Sequence, residues 1–188
     1  VFTKDDVEKI KLEHDIAIQS VFDQINKVEE LVLIAKNTLD SGGKVLWCGN
    51  GGSAADAQHM AAELMVRFKK DRQPLASIAL TTDSSLITAH SNDFSYESVF
   101  SRQVQALGRE NDLLIAMTTS GASKNILKVV DAAKFLKLKV ACFIGKKESP
   151  LTSVVDLSIS VDSFETARIQ EGHTLIGHLF CEGLDRLY

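Results

Sequence analysis

Apolar side chains recur mostly at three- and four-residue steps from Lys4 to about Leu39, through Val7, Ile10, Ile16, Val21, Ile25, Val28, Leu31 and Ile34. That spacing lines one face of a helix, and residues 1–40 are predicted to form a helical arm. Thr3, followed by Asp5 and Asp6, suits its start because carboxylates favour the positive end of a helix. Ser41-Gly42-Gly43 supplies the stop. Beyond it the pattern changes period. Nearly continuous apolar runs at 44–49, 76–80, 112–117, 139–144 and 157–160 predict five strands. Helical patterns near 54–67, 85–90, 97–107, 124–136 and 167–187 fall between and after them. Strands that are apolar on both faces and alternate with helices specify a parallel sheet covered on both sides, so residues 44–188 are expected to form an α/β, three-layer αβα sandwich. Pro74 and Pro150 both fall in connections, where a missing N–H is harmless.

Composition narrows the class. The 188 residues are 45% hydrophobic, enough for one compact domain with its arm. Twenty-one basic against 25 acidic side chains give a net charge of −4, which argues against a nucleic-acid partner, whose binding needs a basic footprint. Lys4, Asp5, Asp6, Glu8 and Lys9 leave no apolar leader in the first ten residues, and no later run approaches the roughly 18 apolar residues of a membrane span. A cytoplasmic protein without membrane contact is expected. Cys48, Cys142 and Cys181 are odd in number and embedded in apolar stretches, which suits reduced core residues.

Two segments echo each other. Val45 to Ala54 and Leu113 to Ser123 are both apolar strands running into a glycine- and hydroxyl-rich turn that opens a helix. Such turns at the carboxyl ends of strands face one crevice. A helix start offers unpaired N–H groups and partial positive charge, so a turn of this kind holds a phosphate without Lys or Arg. Ser53, Thr118, Thr119, Ser120 and Ser123 would add hydroxyl donors, although Ser53 and Ser123 taken singly also read as ordinary N-caps. Gly49-Asn50-Gly51-Gly52-Ser53-Ala54 fits a dinucleotide fingerprint, but the acidic residue closing the second strand, Asp83, comes far too late for that motif. Nicotinamide or flavin binding is thus the weaker alternative, and since neither turn has the Gly-Lys-[Ser/Thr] of a P-loop, no nucleotide cofactor is expected.

His59 and Glu63 are four apart and share a helix face, able to hold a metal or handle protons, or simply to form an exposed polar stripe. The last helix offers Gln170, Glu171, His173 and His178. His173 and His178 point away from each other, so only one faces a given site. Gln170 and His178 lie about 12 Å apart along a helix axis, too far for one ion unless the chain or a neighbouring subunit intervenes. His14 and His90 have no suitable partner in the sequence.

Cys48-Gly49-Asn50-Gly51-Gly52-Ser53 with Asp56, His59 and Glu63, then Ser91-Asn92-Asp93-Phe94, Phe100-Ser101-Arg102-Gln103, the 118–123 turn, and Arg168-Ile169-Gln170-Glu171 with His173 and His178 resemble the bacterial phosphoheptose isomerases over nearly the whole chain. The resemblance implies the flavodoxin-like sugar-isomerase (SIS) fold. It implies conversion of sedoheptulose 7-phosphate to D-glycero-D-manno-heptose 7-phosphate through an enediol, the first step toward activated heptose for lipopolysaccharide or capsule. Asn50, Gly51, Gly52, Ser53, Glu63, Asn92, Asp93, Thr118, Thr119, Ser120, Ser123 and Gln170 would bind substrate. Glu63 and His178 would be catalytic, and His59, Glu63, Gln170 and His178 would hold one zinc ion per subunit. The family's homotetramers place active sites at subunit interfaces, and the apolar residues of the arm would serve that assembly. Family members often carry Asp where this chain has Ala167. The alternative is a non-catalytic SIS-domain adaptor for a replication initiator protein, which has no need of Glu63 and His178 together.

Overall fold

In the computed structural model, which describes residues 1–145 and 149–188, the arm is two helices rather than one, α1 (Lys4–Phe22) and α2 (Ile25–Asp40). Thr3 caps α1 in a capping box with Asp6. The break at Asp23 and Gln24 has a tertiary cause. Gln24 Nε2 donates to the Ser160 carbonyl at 2.7 Å, and Lys27 Nζ donates to the Ser158 carbonyl at 3.1 Å. Both carbonyls lie on the edge strand of the sheet, whose unpaired backbone groups need such partners.

The rest of the chain runs β1 (Val45–Gly49), α3 (Gly52–Met65), β2 (Ser77–Ala79), α4 (Ser84–Asp93), a 3₁₀ turn (Tyr96–Ser98), α5 (Val99–Leu107), β3 (Leu113–Thr118), α6 (Lys124–Phe135), β4 (Lys139–Gly145), a second 3₁₀ turn (Pro150–Ser153), β5 (Leu157–Val161) and α7 (Thr166–Leu187). The five strands are parallel in the order β2-β1-β3-β4-β5. The strand side chains alternate between two buried layers. Val45, Trp47, Leu113, Ile115 and Phe143 face the layer of α1, α2, α3 and α7. Leu46, Cys48, Leu114, Ala116 and Cys142 face α5 and α6. All three cysteines are free and buried, and burial pushes the Cys142 and Cys181 thiols up to about 12. Trp47 is a core residue, edge-on to Phe180 at 5.7 Å and donating to Ser77 Oγ at 2.9 Å.

The arm is partly core. Ala17, Val21, Val28, Leu31, Val32 and Ala35 are buried with the sheet's first layer, whereas Val7, Ile10, Leu12, Ile16, Phe22, Ile25 and Leu33 remain exposed. Val21, Val28 and Leu31 are thus spent on the chain's own fold, because α1 and α2 both pack on α7 and the sheet. Among the described residues no helix is long and apolar enough to cross a membrane.

His173 on α7 is fully buried 6.0 Å from the Phe143 ring, and neither ring nitrogen closes a hydrogen bond. Burial pushes its pKa down to about 4, offset in part by the approach of the Ile144 carbonyl. The unfolded chain therefore binds a proton that the folded one refuses. Stability is expected to be full above about pH 6.5 and to fall by up to about 3 kcal/mol as the pH drops toward 4. Thermal unfolding of His173→Phe across that range should show a flatter profile; an identical acid limb in both proteins would remove His173 as its source.

Candidate active site

The site is set by topology. In the order β2-β1-β3-β4-β5, the chain leaves β1 toward β2 on one side and returns to β3 on the other, so a crevice opens between the carboxyl ends of β1 and β3. Both glycine- and hydroxyl-rich turns emerge there.

The turn after β1 is Asn50 and Gly51, with α3 starting at Gly52. Gly51 has φ +57° and ψ −120°, a conformation open to glycine and strained for side-chain-bearing residues. Gly49 touches Ser53 so closely that a Cβ would lie 2.6 Å from it, and a Cβ on Gly52 would run into the Gln170 side chain. Ser53 is buried, and its backbone N–H closes the turn on the Asn50 carbonyl at 3.0 Å.

The turn after β3 gathers hydroxyls. Thr118 Oγ1 lies 3.4 Å from Ser120 Oγ and 3.3 Å from Ser123 Oγ, and the two serine oxygens are 3.5 Å apart. These separations are longer than a good O–H···O bond, so the three hydroxyls satisfy one another poorly, while Thr118 Oγ1 and Ser120 Oγ accept from the backbone N–H groups of Gly121 and Ala122 at 3.2 and 3.3 Å. Gly121 has φ +66°, and Ser149 Oγ donates to its carbonyl at 2.7 Å. Ser149 is a buried anchor of this turn that the sequence pattern did not mark. Thr119 is half-buried, with its carbonyl turned against Gly145.

The ionisable cluster lies where α3 meets α7. His59 Nε2 and Glu63 Oε1 are 3.0 Å apart, and the His59 and His178 rings meet edge-on at 5.1 Å. His178 also stacks on Phe68 at 5.5 Å. Burial, then the neighbouring His59, holds the His178 pKa below the usual histidine value, so its ring is neutral at pH 7. Asp56 belongs to the same cluster. It accepts from Thr174 Oγ1 at 2.9 Å, and burial raises its carboxyl pKa against the pull of that bond, His59 and His178.

Phe68 is held by a buried ion pair. Arg72 Nε donates to Asp185 Oδ1 at 2.8 Å, with the two side chains 2% and 6% exposed. The other Asp185 oxygen accepts from the Lys69 and Lys70 backbone N–H groups at 2.8 and 2.9 Å. The segment after α3 is thereby pinned to α7.

Most of the expected residues converge, though not at one point. His59, Glu63 and His178 form one cluster, Thr118, Ser120 and Ser123 another, and Gln170 is seated on Gly52. Asn92 and Asp93 are exposed at the end of α4, where Asn92 Nδ2 donates to Asp93 Oδ1 at 2.9 Å. His14 and His90, without evident partners in sequence, have them in the fold. His14 Nδ1 lies 2.8 Å from Glu171 Oε2, and His90 Nε2 lies 2.8 Å from Ser98 Oγ.

A five-stranded parallel sheet of this order, with a crevice at its switch point, defines a doubly wound, flavodoxin-like α/β protein, and the family model described as the SIS domain matches residues 14–145. A phosphoheptose isomerase of Paramagnetospirillum magneticum is 49% identical over 84% of this chain and 82% of its own. Phosphoheptose isomerase 1 of Campylobacter jejuni is 48% identical over 97% of this chain and 98% of its own. The solved structure of the phosphoheptose isomerase from Neisseria gonorrhoeae superposes with a TM-score of 0.91 at 37% identity, covering 97% of this chain and 98% of that one. The Francisella tularensis structure gives 0.87 at 37% identity, covering 96% and 98%. The chain belongs to the phosphoheptose isomerase family of SIS-domain proteins.

Proposed function

We propose that the chain is the aldose–ketose isomerase that converts sedoheptulose 7-phosphate to D-glycero-D-manno-heptose 7-phosphate, at the entry to activated-heptose synthesis for lipopolysaccharide or capsule. The observation that carries this reading is the pairing of a hydroxyl cup at 118–123 with a carboxylate and imidazole cluster at Glu63 and His178, on a chain whose full-length relatives are isomerases by name. Nothing in those relatives' names supports an adaptor, and this chain carries both Glu63 and His178.

The reaction moves a proton between C1 and C2 and shifts a carbonyl through an enediol. It needs one base at carbon and one proton donor or acceptor at the oxygens. Thr118, Thr119, Ser120 and Ser123, with the start of α6, take the phosphate. Asn50, Gly51, Gly52, Ser53, Asn92, Asp93 and Gln170 contact the sugar. Glu63 removes the proton at carbon and returns it on the neighbouring carbon. His178, neutral at pH 7, moves the proton between the two oxygens.

His59, Glu63, Gln170 and His178 are the residues that would hold one zinc ion per subunit. Two imidazoles, a carboxylate and an amide oxygen suit that ion chemically. Among the described residues, however, no three His, Cys, Asp or Glu side chains surround a common point within the single chain. Assembly as a homotetramer, for which the exposed Val7, Ile10, Leu12 and Ile16 of α1 supply apolar surface, would bring a neighbouring subunit to the His59, Glu63 and His178 cluster. When bound, zinc supplies a Lewis acid for negative charge on the substrate oxygens.

A coupled assay of the purified protein with sedoheptulose 7-phosphate tests both readings. Turnover is expected, with loss on chelation and recovery on adding zinc. Absence of turnover overturns the isomerase assignment, and turnover indifferent to the chelator overturns the zinc.

A further inference from the structure

Asn50 and Asn125 exchange two hydrogen bonds. Asn50 Nδ2 donates to Asn125 Oδ1 at 2.9 Å, and Asn125 Nδ2 donates to Asn50 Oδ1 at 2.8 Å. The Tyr96 hydroxyl donates to that same Asn50 oxygen, also at 2.8 Å. Three separate elements meet in this knot: the turn after β1, the first turn of α6 directly beyond the hydroxyl cup, and the 3₁₀ turn at Tyr96–Ser98. Asn125 is 4% exposed.

The sheet does not fix these turns against each other. The register of β1 on β3 ends at Gly49↔Met117, one residue before Asn50. Beyond that pair, among the described residues, the amide exchange ties the two turns side chain to side chain. The tie also settles how Asn50 is used. A carbonyl oxygen has two lone pairs, and both of those on Asn50 Oδ1 are taken by Asn125 and Tyr96, so this side chain has no acceptor left for a sugar hydroxyl. It keeps one amide hydrogen. The Tyr96 arm is itself braced, since Glu97 pairs with Lys124 and Lys128 of α6 at 2.9 Å each.

We propose that Asn125 is a positioning residue for the isomerisation: together with Tyr96 it holds the Asn50 turn at a set distance from the hydroxyl cup, so that a phosphate seated in the cup presents the sugar chain in register with the far end of the site. The inference rests on reading the 118–123 turn as the phosphate cup. Loss of a well-aligned geometry costs rate without removing any group that touches the reacting atoms.

The experiment measures kcat, KM and competitive inhibition by inorganic phosphate for the full chain. Asn125→Ala is expected to lower kcat/KM about tenfold or more, while phosphate, which fills the cup alone, inhibits within about twofold of its wild-type constant. Asn50→Ala combined with Asn125→Ala should lose little beyond the larger single effect, because each removes the same tie. Tyr96→Phe, which deletes one exposed hydroxyl and threatens no packing, should show a smaller loss with the same unchanged phosphate inhibition. Unaltered kcat/KM in Asn125→Ala and Tyr96→Phe overturns the proposal. So do multiplicative effects in the double variant, or a loss of phosphate inhibition in proportion to kcat/KM. Ser120→Ala with Ser123→Ala serves as the separate check on the cup. If that pair leaves phosphate inhibition intact, the cup reading fails, while the Asn50–Asn125 cycle still reads the coupling.

Discussion

Glu63→Gln is expected to reduce turnover of sedoheptulose 7-phosphate by about 10²–10⁴-fold, the range that a positioned base contributes. The substitution keeps the side chain's size, removes its capacity to accept a proton from carbon, and puts an amide in place of the carboxylate of the proposed zinc set. Little in the fold depends on it. The carboxylate is 22% exposed and, among the described residues, bonds His59, and it is the Glu63 backbone carbonyl, untouched by the change, that accepts from Arg72 at 3.0 Å. The loss should therefore appear in kcat with the thermal midpoint nearly unchanged. His178→Gln should behave similarly, with Phe68 losing its stacking partner. Full activity in Glu63→Gln would exclude Glu63 as the base.

The largest effect on stability is expected at Asp185. Removing one member of a buried ion pair leaves the other charge uncompensated, at a cost of about 3–5 kcal/mol. Asp185→Ala strands Arg72, which is 2% exposed, and frees the backbone N–H groups of Lys69 and Lys70. In a chain of this size each kcal/mol moves the midpoint by about 2–4 °C, so a fall on the order of 10 °C is expected by calorimetry. Activity should drop as well, since the same segment carries Phe68 against His178. Arg72→Met with Asp185→Leu, which removes both charges, should recover much of the stability. A single Asp185→Ala variant as stable as the wild type would show that the pair carries no net weight.

The layers of the fold were legible because burial imposes a period. Strands apolar on both faces, such as Val45 to Gly49 and Leu113 to Thr118, have no stable place except between two helical layers, and the fold puts them there. The two turns were legible for the same kind of reason. Gly51 and Gly121 sit at positive φ, and that demand is local enough to show in the residue type. The hydroxyls of the second turn could be read as a cup from their crowding into six residues.

What escaped the sequence depended on partners far away along the chain. The division of the arm at Asp23 and Gln24 follows from β5 being an edge strand that needs Gln24 and Lys27 as partners. The arm's apolar residues could not be sorted into core and surface until α2 was docked on α7. His14 reaches Glu171 across 157 positions, and Arg72 reaches Asp185 across 113. Asn125 looked like an unremarked second residue of a helix, and only the 2-1-3 strand order brings it against Asn50. Sequence alone thus determined the strands, the layering and the glycine and hydroxyl content of each turn, because periodicity and glycine backbone freedom act within a few residues. Tertiary structure alone decided which turns and side chains face one another, because those contacts are set by strand order and helix docking, and neither leaves a local trace in residue type.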